Sequence, residues 1–399
     1  VNPRPGLAAS LVLATALGAP SAVAAEGDRP PTISPYFMME TDALVHSAEV
    51  EGENGFAIRR LRLGLEAHPT SWLTAVGTAE YASAAEPNVR VWEGYVDAAP
   101  WSALHVSFGF RRTPLFHIAK DELFEALAVP ELPLAVRSFW PGVDAGLELH
   151  YVPVGRVPVE AWARVGNGSG TALGNNTNKL GYEGRVDLVL GRARPGRHAR
   201  DRFGLRVGTG VHVGTLESSP GVGGTTADGF AFYRATIVNG EQTIAEAHVA
   251  AWAGRATLDV EAAHVLEERS ANPTGAVTAT PTALPMAQSW GGFVELAYML
   301  AGKPRVPGAW PNAAAWDASL TEGGVEVGAR LDYLALDRRA TGVTGGGATG
   351  GELAVRWWAT RFLALSAAGY YLRYDVPPVE EPTERDSWVA LTRATFAWR

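Results

Sequence analysis

The sequence predicts an all-β fold, a transmembrane antiparallel β-barrel of about sixteen strands. Three observations predict it. Apolar and polar residues alternate with a period of two through most of the chain, the alternating runs are about ten residues long, and short polar turns alternate with long Gly-, Pro- or Asn-rich loops. Composition agrees: only 19% of the residues are charged, against about a quarter in ordinary soluble proteins. The 47% hydrophobic content excludes disorder, and the absence of Cys excludes a disulfide scaffold. Lys and Arg number 34 against 42 Asp and Glu, so the net charge of −8 argues against nucleic acid as a partner.

In chain order, the first element has the layout of an export signal. Arg4 precedes an apolar stretch over residues 7–17, and Ala22, Val23 and Ala24 supply small residues where an A-x-A cleavage site belongs. The expectation is a signal peptide over 1–25, cut after Ala24 or Ala25, and one barrel domain over 26–399. Beyond residue 26 no stretch approaches the ~20 uncharged apolar residues of a spanning helix. Arg356 and Arg361 interrupt even the most apolar late segment.

Strands follow. In residues 60–67, Arg60, Arg62, Gly64 and Glu66 share one face and Leu61, Leu63, Leu65 and Ala67 the other. Residues 142–151 set Val143, Ala145, Leu147, Leu149 and Tyr151 against Asp144, Glu148 and His150. The pattern recurs over 203–213, over 256–266 with Asp259 and Glu261 opposite Leu258 and Val260, and over 324–333 with Arg330 and Asp332 opposite Ala329 and Leu331. Short turns are expected at 68–71, 99–102, 153–157, 254–255 and 360–361. Long loops are expected at 113–141, 167–178, 215–229, 267–288 and 340–350, and the Arg-rich stretch 192–202 is long for the short-turn end.

A soluble β-sandwich or β-helix also alternates. Lipid is favoured by runs of about ten residues, since globular strands average five or six. It is favoured too by the scarcity of charge on the apolar faces. Aromatics near run ends, at Trp92, Tyr95, Trp101, Trp357, Trp358, Tyr370, Tyr371 and Trp388, suit an interfacial girdle. A sheet in hydrocarbon must close on itself, because open edges leave backbone groups unpaired.

Several stretches resemble the phosphate-selective porin O and P family of bacterial outer-membrane proteins. Residues 59–66, RRLRLGLE, are similar to that family's RRARLGLEG-like strand; 108–115, FGFRRTPL, to its G-Q-F-K-x-P-like strand end; and 139–146, FWPGVDAG, to F-S-P-G-R-D-L-G. Residues 165–170 are similar to F-N-G-S-G, 298–305 to Y-x-L-T-G-E-x-R, and 391–398 to the closing strand, with Arg393 at its internal basic position. The matches span residues 57 to 398 in order. The resemblance implies a barrel of about sixteen strands in a Gram-negative outer membrane. It further implies a homotrimer, with a long inward loop, here 113–141, narrowing the pore. The sequence departs from the pattern at Phe110, Arg111 and Val143, and Arg399 follows the final aromatic.

That reading makes Arg111, Arg112, Lys120 and Arg137 the candidate anion contacts at the constriction, beside Asp121, Glu122, Glu125 and Glu131. Alternation puts Arg60, Arg62, Arg164, Arg185, Arg206, Arg330, Arg356 and Arg393 on the lumen face. The same face offers Glu66, Asp144, Glu148, Glu160, Glu183, Asp187, Asp259, Glu261, Glu326, Asp332 and Glu352. Rings of basic side chains select anions and acidic rings cations, so a mixed lumen predicts modest selectivity. The bland alternative is that each Arg pairs with a neighbouring carboxylate and stiffens the wall.

Enzyme signals are thin. The nine His include no H-E-x-x-H and no close pair in sequence, and no G-x-S-x-G elbow occurs. A barrel-embedded hydrolase would need Ser, His and acid from different strands. The function expected is passive diffusion of small hydrophilic solutes and ions, anions such as phosphate among them, without cofactor or metal. A second reading stays open: a closed or narrowed barrel serving as a surface receptor or structural protein.

Overall fold

The computed structural model describes residues 30–47, 54–82, 88–152, 158–168, 177–191, 203–227, 229–233, 237–271, 282–302, 304, 308, 310, 323–337, 346–360, 362–378 and 383–398. The export signal expected over 1–25 and the Arg-rich stretch 192–202 lie outside them.

The period-two runs become strands. They are β1 Thr32–His46, β2 Gly55–Thr70, β3 Leu73–Ala82, β4 Asn88–Trp101, β5 Leu104–Arg112, β6 Val143–Tyr151, β7 Val159–Gly166, β8 Gly181–Leu190 and β9 Phe203–Pro220. A small hairpin of β10 Gly224–Thr225 and β11 Ala231–Tyr233 follows. Then come β12 Ile237–Ala253, β13 Ala256–Ala271, β14 Thr282–Ala301, β15 Gly324–Ala335, β16 Ala348–Trp358, β17 Leu363–Tyr374 and β18 Asp386–Trp398. All but β10 and β11 join one closed antiparallel barrel of sixteen strands, each beside its neighbour in chain order. β1 closes the wall against β18, in register from Phe37 opposite Trp398 to His46 opposite Val389.

Burial is inverted relative to a soluble sheet. In β15, Leu331 is 69% exposed, while its neighbours Arg330 and Asp332 are 1% and 2% exposed. Leu63, Leu65, Phe108, Leu147 and Leu353 likewise face out, and Arg62, Glu148 and Glu352 face in. Apolar surface turned outward, with charge enclosed, suits a wall bathed in hydrocarbon around a polar interior. Among the described residues no helix is long and apolar enough to cross a membrane, which says nothing of crossing by strands.

Two expectations change. Trp101, Trp357, Tyr371 and Trp388 do point outward near strand ends, but Trp92, Trp358 and Tyr370 are buried and Tyr95 packs beneath Arg111, 4.6 Å from its guanidinium. Inward and outward aromatics cannot be separated by position alone when a bulge, as between Thr78 and Ala79 opposite β4, shifts the alternation. The second change concerns the short-turn end, where the β14–β15 connection runs over residues 302–323. Part of it meets residues of the β5–β6 connection: the Leu123 amide donates to the Gly308 carbonyl at 2.8 Å. Gly308 has φ +60°, and a Cβ there would lie 2.2 Å from Glu122 Cγ, so only glycine fits this approach.

Candidate functional site: the lumen and residues 113–142

The connection between β5 and β6 carries two short helices, α1 His117–Asp121 and α2 Leu134–Phe139, and a single 3₁₀ turn Phe124–Ala126. Its contacts fall on inward side chains around the wall. The Tyr36 hydroxyl of β1 donates to Glu125 (3.0 Å), and Arg59 of β2 makes two 3.1 Å bonds to Glu131. Lys120 donates to both oxygens of Glu148 on β6, at 3.0 and 2.8 Å. Arg185 of β8 donates to Asp121 (2.7 Å), and Glu261 of β13 accepts from the Ile118 amide (2.7 Å). On the far wall Asp332 of β15 accepts from the Leu134 amide (2.8 Å). Arg330, Arg356 of β16 and Arg393 of β18 donate to the carbonyls of Glu131, Glu125 and Pro130 at 2.8, 3.0 and 2.6 Å. Because irregular backbone has no ladder of its own, these side chains supply the partners it lacks.

An apolar core fills part of the interior. Leu115, Phe116, Ile118, Phe124, Leu134 and Phe139 pack with Phe230, Phe232 and Tyr233 of the β9–β12 connection and with Ile244, Val265 and Phe293 of the wall. Phe116 takes φ +63°, a costly conformation for a bulky residue, and is 1% exposed within this cluster.

The charged groups divide into a sealed set and a water-facing set. Arg164, Arg185, Arg330, Arg356 and Arg393 are buried. Arg330 pairs with Glu295, Asp332 and Glu352, and Arg393 with Asp42 through two 2.7 Å bonds and with Glu131. Along β2–β9 the pairs are lopsided. Arg90 is 49% exposed and its partner Glu80 1%; Arg111 is 21% exposed and Glu148 3%. Arg60 over Glu40, Arg59 over Glu131 and Arg206 over Asp187 show the same order, whereas Arg185 and Arg206 are each less open than Asp121, and Arg164 is slightly less open than Glu148 and Glu183. Glu80 is shared by Arg62 and Arg90, whose guanidiniums lie 4.6 and 5.0 Å from the Trp92 ring.

The predicted constriction residues therefore differ in kind. Lys120 is buried on Glu148, and Arg112 braces the connection itself, donating to the carbonyls of Ala119 and Glu122 at 3.0 and 2.9 Å. Arg137 sits half-buried on the last turn of α2. Arg111 is a little more open than Arg112, at 21% against 18% exposed. Sequence reasoning missed Arg59 and Arg90 as inward groups, although both belong to the same alternation as Arg60 and Trp92 once bulges are allowed. It also missed the packing of Val222, within the loop expected over 215–229, and of Phe230, Phe232 and Tyr233 just beyond it.

Burial pushes the Lys120 ammonium down to about 8, with Glu148 opposing. Burial likewise pulls His117 down to about 4, with Asp121 opposing. Against burial, Arg185 and His117 hold Asp121 well below the carboxylate range, and Arg59 and Arg393 do the same for Glu131. The unfolded chain takes up the His117 proton near its ordinary 6.5 and the folded chain only near about 4, so stability falls as pH drops across that window. Asp121 and Glu131 contribute stability that is present above their unfolded values and lost on further acidification. The urea midpoint of the refolded barrel is expected to fall between pH 6.5 and 4, with His117→Gln flattening the upper part of that profile. A midpoint independent of pH across this range in the unsubstituted chain would contradict the burial of His117.

A Ser, a His and an acid do come together from β4 and β5, but not in catalytic order. Asp97 lies between His105, whose Nδ1 is 2.8 Å from it, and Ser107, whose hydroxyl donates to its other oxygen. The acid thus separates hydroxyl and imidazole, where a nucleophilic triad needs the imidazole between.

No family model matches the chain, and no curated protein does. Solved structures do. The outer membrane channel DcaP of Acinetobacter baumannii aligns over 92% of this chain and 98% of its own, with TM-score 0.56 and 10% identity. An anion-selective porin from Comamonas acidovorans aligns over 92% and 100%, with TM-score 0.55 and 10% identity. The trimer form of OmpT, an outer membrane protein of Vibrio cholerae, aligns over 93% and 100%, with TM-score 0.55 and 12% identity. At such identities the likeness shows the fold alone, the closed antiparallel barrel described above.

Proposed function

We propose that the chain is a passive channel of a Gram-negative outer membrane, exported by its N-terminal segment, that lets small hydrophilic solutes and ions diffuse with a preference for anions. The observation that carries this reading is the lopsided pairing along β2–β9, where the guanidinium faces the lumen and the carboxylate lies behind it. Arginines so placed present positive charge to a passing ion while their counter-charges are shielded from it. The connection 113–142 sets the bore in this reading, and solutes pass along β2–β9, where the more open guanidiniums of Arg90 and Arg111 lie. Arg60, Arg111 and Arg206 contact the solute in this scheme. Arg330, Arg356 and Arg393 hold the connection in place. One structural neighbour is an anion-selective porin and another a trimer, which fits this reading and a homotrimeric assembly surrounded by lipid.

The test is conductance of the refolded chain in a planar bilayer under a potassium chloride gradient. Stepwise openings that reverse toward the chloride potential are expected, and added phosphate then tests for block. A reversal at zero or toward potassium would leave a channel without anion preference. The contacts that residues 113–142 make around the wall favour one competing reading, a narrowed barrel acting as a surface receptor. Silence from correctly folded protein would select it.

A further inference from the structure

The strand register creates a histidine pair that sequence distance conceals. His105 of β5 and His150 of β6 are direct partners across antiparallel strands, on the inward face that also carries Ser107 and Glu148. Their ring centroids are 5.7 Å apart with planes inclined at 36°. Each ring is fixed through one nitrogen by a carboxylate: His105 Nδ1 by Asp97 and His150 Nε2 by Glu160, both at 2.8 Å. Those carboxylates are anchored in turn, Asp97 by Ser107 and Glu160 by Arg206 at 2.9 Å. His150 is further clamped face to face on Trp162, the next residue in the same cross-strand row, with centroids 4.5 Å apart and planes 10° apart. Among the described residues, His105 Nε2 and His150 Nδ1 have no hydrogen-bond partner, and neither is a sealed atom.

An imidazole whose second nitrogen is held by a carboxylate is the arrangement that orients histidine toward a metal and raises its basicity. The spacing permits a shared ion. Metal–nitrogen bonds of about 2.0–2.1 Å, added to ring radii near 1 Å, allow two rings on one ion to have centroids up to about 6 Å apart. Paired imidazoles completed by water suit zinc and its first-row neighbours, whereas calcium and magnesium require oxygen cages. We propose that His105 and His150 form a binding site for a divalent transition ion, with Asp97 and Glu160 as positioning residues. The site lies one residue inside β5 and β6 at the short-turn end, so a bound ion adds positive charge at that mouth of the lumen.

A second cluster competes for the same ion. His117, Glu122 and Asp259 each offer one ligand atom, all within 4.8 Å of one another. Their carboxylates are already engaged with other groups, and the cluster is buried, so the half-buried pair is the better site.

The experiment is calorimetric titration of the full chain, refolded in detergent, with zinc chloride near pH 7.5. Heat-modifiable gel migration and circular dichroism establish folding of every variant. One saturable zinc per chain is expected. His105→Gln and His150→Gln should each weaken it by tenfold or more, and the double variant should abolish it. Asp97→Asn should weaken binding by about 10–100-fold while leaving both ligands in place, the effect expected of an orienting partner. Copper(II) in place of zinc should give an electron paramagnetic resonance signal with nitrogen hyperfine structure that disappears in the double variant. Absence of saturable zinc in the unsubstituted chain would overturn the proposal. So would retention of binding in the folded double variant, or its loss in His117→Gln with the paired histidines intact.

Discussion

Replacing Arg393 with Gln is expected to destabilise the barrel by about 3–5 kcal/mol, the range found when one member of a buried ion pair is removed. Three features make the site costly to disturb. The guanidinium is 2% exposed, donates twice to Asp42 across the β1–β18 junction, and reaches both the carboxylate of Glu131 and the carbonyl of Pro130. Without it, Asp42 remains buried and charged beside Glu40, while Glu131 retains Arg59. The check is a urea titration of refolded variants near pH 7.5. Asp42→Asn in the same chain should recover part of the loss, because it removes the charge left without its partner. A shift below about 1 kcal/mol for Arg393→Gln would place the pair with exposed surface pairs and would contradict its burial.

The second large effect concerns ion preference. The double substitution Arg90→Gln and Arg111→Gln is expected to lower the chloride-to-potassium permeability ratio severalfold while leaving the urea midpoint nearly unchanged. Stability is spared because the carboxylates keep other partners: Glu80 retains Arg62, and Glu148 retains Lys120. Preference changes because two guanidiniums open to the lumen are lost where field lines are focused by low-dielectric walls. Arg330→Gln is the contrasting variant. Its guanidinium is 0% exposed, so the expected result is lower stability without a change in reversal potential. If the double substitution left the permeability ratio unaltered, the path taken by ions would not follow β2–β9.

The barrel itself was legible because alternation reports which way each side chain points, and Arg330, Leu331 and Asp332 obey it residue by residue. Closure followed from the backbone: sixteen paired strands leave no edge in hydrocarbon. The interior was less legible. Alternation names the inward arginines but not which of them are covered, because the covering chain is an irregular connection whose path is set by distant partners. Arg356, for instance, owes its burial to a carbonyl 231 positions away. Phe230, Phe232 and Tyr233 look like loop aromatics until they meet Ile244 and Val265. His105 and His150 are unremarkable as a sequence pair, and only the β5–β6 register makes them neighbours. Relative exposure was not legible for a related reason: charge counts treat Arg111 and Glu148 as equal, whereas the guanidinium is the more open of the two.

The junction between β1 and β18 has a consequence for how the chain assembles. The strand made last is the one that seals the wall to the strand near the start, so closure joins residues separated by most of the chain's length. Contacts of such long range make folding slow. Arg393 arrives with that strand, and its partners Pro130 and Glu131 belong to the β5–β6 connection. One side chain thus ties the seam between the first and last barrel strands to the β5–β6 connection, so that loosening either loosens the other.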